Sequence, residues 1–254
     1  MIALPFLLLA YTSGASAISI TFENGLHGYT GTQDTYISGK HEQREKNYGT
    51  AKSLLLKAGN KPENILLGFD ISSLPSHLII DSATLWLYKL SGAHDPIAKV
   101  FEITSGPWSE GDGGNATLGD VDWIHRNHPG TAWNTPGLGA GTDYETPFSD
   151  SEHLFGGKGW HNWDVSSIVK DWYSGEDPNY GFVLKAWGDT NEQKFASSES
   201  PSWCIRPKLT INYHNQHQQQ HQHCAVPEPT SLTLLGLGLF GFLGNKIKER
   251  SKKI

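Results

Sequence analysis

Between Ile18 and Tyr213 the chain breaks into ten short strand-like runs, and this succession limits the fold more than any other feature. The runs are Ile18–Phe22, Asp34–Ser38, Ser53–Ala58, Ile65–Asp70, Ser82–Leu90, Ala98–Ile103, Gly159–Asp164, Gly181–Trp187, Gln193–Ser197 and Lys208–Tyr213. Each is bounded by turn-forming residues, of which 28 Gly and 13 Pro give an ample supply. In Ser82–Leu90 the residues Ala83, Leu85 and Leu87 face one way, while Thr84, Trp86 and Tyr88 face the other. Both faces are apolar enough to place this strand inside a sheet rather than at its edge. No repeat of 20–50 residues is present, which excludes a solenoid. The expected fold is all-β, a jelly-roll-like antiparallel β-sandwich occupying residues 18–213 as one domain.

One short helix interrupts the strands. In Trp160–Trp187 the pattern is strand, turn, helix, turn, strand, with Val165, Ile168, Val169 and Trp172 at helical spacing. Asp164 stands where a capping carboxylate would accept the first free amides, and Ser174-Gly175 stops the helix. A fragment of the same pattern, Phe69–Leu74, puts Asp70 before a second Ser-Ser turn. Both aspartates are expected to cap turns rather than to hold ligands or move protons.

Charge narrows the function. Residues 18–213 hold 15 Lys+Arg and 24 Asp+Glu, a net charge of −9, which argues against a general nucleic-acid binder. The exception is Ser38–Pro62, where Lys40, Arg44, Lys46, Lys52, Lys57 and Lys61 outnumber Glu42 and Glu45. Lys57 alternates with Leu54 and Leu56, so it can point outward while they point in. A row of such groups on one face suits the spaced carboxylates of a uronate polymer; an ordinary solvated face reads equally well.

The segment Ser105–Ser149 is long, irregular and rich in Gly, Asp, Asn and Pro, yet carries Trp108, Trp123, Trp133 and Tyr144. Its aromatic content argues against disorder. Two readings stay open: aromatic faces that stack on sugar rings, or a satellite core folded under the loop.

Catalytic chemistry finds little support. The chain has no G-x-S-x-G, no Cys-x-x-Cys and no phosphate-cradling glycine loop. His41-Glu42-Gln43-Arg44-Glu45 misses the zinc-protease pattern at its last position. Carboxylate pairs abound among the acids and so decide nothing. No cofactor is expected; the Asp- and Gly-rich loops leave room for a structural calcium, although no spacing matches a calcium loop.

Blocks in a fixed order resemble the DNRLRE-domain family: Asp34–Ile37, Asn47–Gly49, Ser53–Lys57, Gly68–Pro75, Ser82–Tyr88, Trp108–Glu110, Trp163–Gly175, Gly181–Lys185 and Arg206–Tyr213. The resemblance implies a jelly-roll sandwich that binds carbohydrate without catalysis. Some members bind anionic polysaccharides such as alginate through basic residues near the N-terminus, which by position correspond to Lys40, Arg44, Lys46, Lys52 and Lys57. The six letters of the family name do not occur here, and the Ser105–Ser149 insert matches only loosely.

The two ends differ in character from the middle. Residues 1–17 form an apolar run ending in Ala15-Ser16-Ala17, expected as a signal peptide although no basic residue precedes the run; a buried first strand is the other reading. Residues 214–225 form a His/Gln-rich linker, a solvated spacer whose histidines could also capture metal. Cys204 and Cys224, the two cysteines, could pair after export. Then come Pro227-Glu228-Pro229, a charge-free stretch at 230–245 and a basic tail at 246–253. With Pro229 the stretch reaches 17 residues, the lower limit for one transmembrane helix, oriented with its basic end in the cytoplasm. The three parts resemble the PEP-CTERM sorting signal, recognised and processed by an exosortase. That resemblance implies a transient anchor in the inner membrane of a Gram-negative bacterium, and delivery to the cell surface or extracellular matrix. The expected protein is therefore exported and binds extracellular polysaccharide. The alternatives are a structural matrix protein that binds other proteins, or a polysaccharide lyase or hydrolase.

Overall fold

The structure, a computed structural model, describes residues 18–215. The first elements are β1 (Ile18–Phe22), β2 (Thr32–Ser38), β3 (Lys46–Asn47), β4 (Ser53–Leu56), β5 (Glu63–Phe69), β6 (Leu78–Ser91) and β7 (Ile97–Glu102). There follow β8 (Gly114–Asn115), β9 (His125–Asn127), β10 (Thr131–Ala132), β11 (Asp150–His153) and β12 (Gly159–Asp164). The chain ends with the helix α1 (Ser166–Ser174), β13 (Phe182–Trp187), β14 (Gln193–Ala196) and β15 (Lys208–Asn215).

β6 is the spine of a six-stranded sheet. Trp86 faces Lys208 of β15 on one flank and Asn162 of β12 on the other, and Lys89 likewise lies between Phe195 of β14 and Gly159 of β12. Two strands therefore share one flank of β6 in succession, with β1 beyond β15 and β4 beyond β14. The second sheet runs β11-β7-β13-β5-β2, and the strands of both sheets pair antiparallel. The two sheets pack as a β-sandwich.

The period-two pattern of β6 puts Ala83, Leu85 and Leu87 inside. They share one core with Ile65, Leu67, Val100, Phe182 and Leu184 of the second sheet. Leu78 and Ile80 also point inward, so the inward positions change from even to odd along β6. The register shift between Asn212 and Tyr213 leaves Asp81 as the extra residue, a bulge that permits this change. Trp163 of β12 is fully buried, and its Nε1 donates to Ala98 O of β7 at 3.0 Å, joining the two sheets through the core.

The expected helix is present, and Ile168, Val169 and Trp172 bury its apolar face in the same core. Asp164 and Asp70 each accept the amide two residues on, from Ser166 and Ser72, both at 2.9 Å. Gly175 ends the helix at φ 78°, a left-handed conformation that favours glycine. Among the described residues no helix is long and apolar enough to cross a membrane. The expected transmembrane helix at 230–245, the signal peptide and the Pro227–Pro229 motif lie outside the described residues. So does Cys224, while Cys204 is exposed on a single turn of 3-10 helix.

Candidate functional site

The basic window does not form one row. Lys40 follows β2, and its Nζ donates to Glu63 Oε1 at 2.7 Å, with Glu192 Oε2 at 3.8 Å. The Glu63 side chain is fully buried, so this ammonium balances an interior carboxylate; the Glu63 hydrogen bond holds the Lys40 pKa above its usual value. Lys52 and Lys57 flank the two ends of β4 in the six-stranded sheet, Lys52 exposed and Lys57 half-buried. Lys57 and Glu63 exchange backbone hydrogen bonds at 2.9 and 3.1 Å.

Arg44 and Lys46 do come together. They stand with His41, Glu42, Glu45 and Asn115 around a groove of about 640 Å³ bordered by His128. The wall is built locally: a 3-10 turn at His41–Gln43 leads into β3, which pairs with β8 of the insert. Arg44 O accepts from Trp123 N at 3.0 Å and Glu45 O from Ala116 N at 3.0 Å, so the insert forms the opposite side. Asn47 fastens the two together. Its Nδ2 donates to Glu110 O and Val121 O at 2.6 and 2.9 Å, and its Oδ1 accepts from Gly49 and Gly113. A Cβ at Gly49 would lie 2.4 Å from the carbonyls of Glu110 and Gly111, so only glycine allows this approach. The groove has two permanent cations against two carboxylates, all on exposed side chains; Arg44 Nε donates to Gly39 O at 3.3 Å, which leaves the two terminal guanidinium nitrogens for a ligand.

The tryptophans of the insert settle the alternative left open by the sequence. Trp108, Trp123, Trp133 and Tyr144 are buried and cover Ile37, Leu66, Phe101, Ile103 and Val183 on the outer face of the five-stranded sheet. Two of their polar edges are satisfied inside, Trp108 by Tyr180 O and Trp133 by Asp122 O at 2.8 and 3.0 Å. They form a satellite core, and each of the four exposes less than a tenth of its surface. Exposed aromatic surface lies elsewhere: Trp187, 36% exposed, borders a second groove of about 460 Å³ with Trp123 and Lys185. Lys185 sits there half-buried, its pKa pushed down to about 8 by burial, and donates to Gly137 O and Leu138 O.

Among the described residues two clusters have donor sets that could hold a metal, and the sequence alone assigned neither. Asp34, Glu110 and Glu199 converge as an all-oxygen set. Burial, aided by the like charges of its neighbours, pushes Asp34 well above the usual carboxylate range, and burial pushes Glu110 up to about 7. Such a set suits the structural calcium that the loop composition allowed. Asp122, His125 and His128 form the other; their D-x-x-H-x-x-H spacing was the signal that could have found it.

Residues 27–112 match carbohydrate-binding module family 96. The matched segment runs from before β2 to the start of the insert and includes the Arg44–Lys46 wall of the groove. Residues 225–246 match the PEP-CTERM protein-sorting motif. No curated protein matches the chain. The two matches indicate an exported, cell-surface or extracellular protein with a segment similar to a carbohydrate-binding module, and the sorting motif implies processing by an exosortase.

Proposed function

We propose that this protein binds an extracellular polysaccharide without cleaving it, and that its site is the groove of Arg44 and Lys46. The supporting observation is that the family 96 match contains a groove whose wall brings two residues of the basic window, Arg44 and Lys46, together. The Arg44 guanidinium can meet a carboxylate through two parallel N–H donors, Lys46 adds a point charge, and Asn115 can bond hydroxyls. The ligand class is an anionic glycan of the alginate type. Lys40 holds Glu63 and lies outside the binding set; Lys52 and Lys57 belong to a separate face. Delivery follows the sorting motif: a passing anchor in the inner membrane of a Gram-negative cell, exosortase processing, then residence at the surface.

The test is a binding panel of neutral and uronic-acid polysaccharides at two salt concentrations. Uronate binding that weakens with salt and is lost in the Arg44→Ala/Lys46→Ala variant supports the reading. A second reading, neutral sugars stacked on Trp187, is favoured by the exposure of that ring beside its groove. It predicts salt-insensitive binding lost on Trp187→Ala. Release of oligosaccharides would reveal an enzyme, and failure to bind any glycan would leave the matrix-protein alternative.

A further inference from the structure

Asp122, His125 and His128 meet where the β9–β10 hairpin joins the rest of the insert. Asp122 is fully buried, and its Oδ1 accepts the backbone N–H of Ile124 and His125 at 2.7 and 2.6 Å. Those bonds fix the carboxylate and turn its other oxygen toward the rings. Oδ2 lies 3.1 Å from His125 Nδ1 and 2.8 Å from His128 Nδ1, His125 Nδ1 is also 3.2 Å from Oδ1, and the two Nδ1 atoms are 3.3 Å apart. The hairpin is held from behind, since Asp122 N donates to His125 O and Trp133 N to Ile124 O. The side chains of His125 and His128 are 15% and 21% exposed, so one side of the cluster opens to solvent.

Hydrogen bonding alone satisfies this triangle poorly. Each neutral imidazole has one N–H to give; with both Nδ1–H groups turned to this carboxylate, His125 reaching Oδ1 and His128 reaching Oδ2, the two N–H dipoles would still stand 3.3 Å apart with like polarity. If one ring instead turns a lone pair inward, it gives up its bond to the carboxylate. A single cation resolves the conflict by taking a lone pair from each nitrogen and from Oδ2. A tetrahedral ion with bonds of about 2.0–2.1 Å has ligand–ligand edges of about 3.3 Å, which the nitrogen–nitrogen edge matches, while the 3.1 and 2.8 Å nitrogen–oxygen edges would open slightly to admit the ion.

We propose that Asp122 Oδ2, His125 Nδ1 and His128 Nδ1 form a binding site for a divalent transition metal of the zinc class. Two imidazoles and one carboxylate suit such an ion and disfavour calcium or magnesium, which take oxygen. The backbone bonds to Oδ1 supply the outer support that orients a ligating carboxylate. Three protein ligands leave a fourth position for water or for an oxygen donor from outside. The ion would brace the turn that leads into the hairpin; its binding needs no polysaccharide, although His128 also borders the Arg44–Lys46 groove.

The histidines of the linker at 214–225 are a second set that could capture zinc, so the test compares full-length chains. Zinc is titrated by calorimetry into metal-free wild type and into a His125→Ala/His128→Ala variant, with cobalt absorption as a second readout. The expected result is the loss of one equivalent in the variant, together with the intense tetrahedral cobalt bands, while any binding by the linker persists in both. His128→Gln should weaken the site at least about tenfold, and its partly exposed position makes it the variant to use if the double substitution impairs folding. Equal stoichiometry, affinity and cobalt spectra in wild type and variants, or no zinc bound by wild type, would overturn the proposal.

Discussion

The two sheets have outer faces of opposite kinds. The five-stranded sheet turns Ile37, Leu66, Phe101, Ile103 and Val183 outward, all buried beneath the insert. The six-stranded sheet turns out Thr84, Trp86, Tyr88, Trp160, Lys208 and Thr210, and these stay half-exposed. There Trp160 meets Trp86 and Tyr88 edge-on, and Lys208 Nζ lies 4.2 Å above the Trp160 ring. An aliphatic face needs a third layer, whereas rings mixed with hydroxyls and a long amphipathic stem can remain at the water boundary. The long insert is thus explained first by the sheet it covers, and only afterward by the groove and the histidine cluster it carries.

The largest expected effect tests this contrast directly. Trp133→Ala should destabilise the fold by about 3–5 kcal/mol, because it opens the satellite core and frees Asp122 O. Trp160→Ala should cost about 1 kcal/mol, since the ring keeps water on one side. Thermal melts of the two variants make the comparison, and equal losses would break it.

Next comes Lys40→Ala, expected to cost about 2 kcal/mol by leaving the buried Glu63 carboxylate without its cation. Lys52→Ala, at an exposed position, should stay within about 0.5 kcal/mol. If both are silent, Lys40 is available for ligand after all.

A pH effect follows from the inner face of the five-stranded sheet. Burial raises the Glu102 pKa to about 7, partly offset by the Trp172 Nε1 donor at 2.6 Å and reinforced by Asp177, Asp171 and Glu145. An acid whose folded pKa lies above its unfolded value of about 4.5 stabilises the fold when protonated. Its contribution is therefore present below about 4.5 and is lost as pH rises toward about 7. Glu102→Gln should flatten the melting temperature over that window; an unchanged slope would show that other groups set it. Smallest in stability is Arg44→Ala/Lys46→Ala, expected within about 0.5 kcal/mol of wild type while uronate binding disappears.

The sandwich was legible wherever alternation was unbroken. All ten strand-like runs form strands, and Ser82–Leu90 is central as its two apolar faces implied. That reading began at Ser82 because the bulge at Asp81 breaks the alternation that would have carried it back to Leu78. β11 escaped because Asp150–His153 is a polar edge strand with no apolar face to declare it. The fate of Lys40 depends on the β2–β5 register, which sets Ser38 opposite Glu63, a long-range pairing that local charge counts do not contain. The burial of Trp108, Trp123 and Trp133 was equally hidden, since an irregular segment has no periodicity to show which side faces in.

β1 and β15 run antiparallel over Ile18–Phe22 and Leu209–Tyr213, and β15 is flanked on its other side by β6. A tug on the chain beyond Asn215 therefore loads β15 along its length, against two rows of rungs in parallel. Force directed along the strand would thus meet the hydrogen bonds to both neighbours at once, instead of opening them one by one.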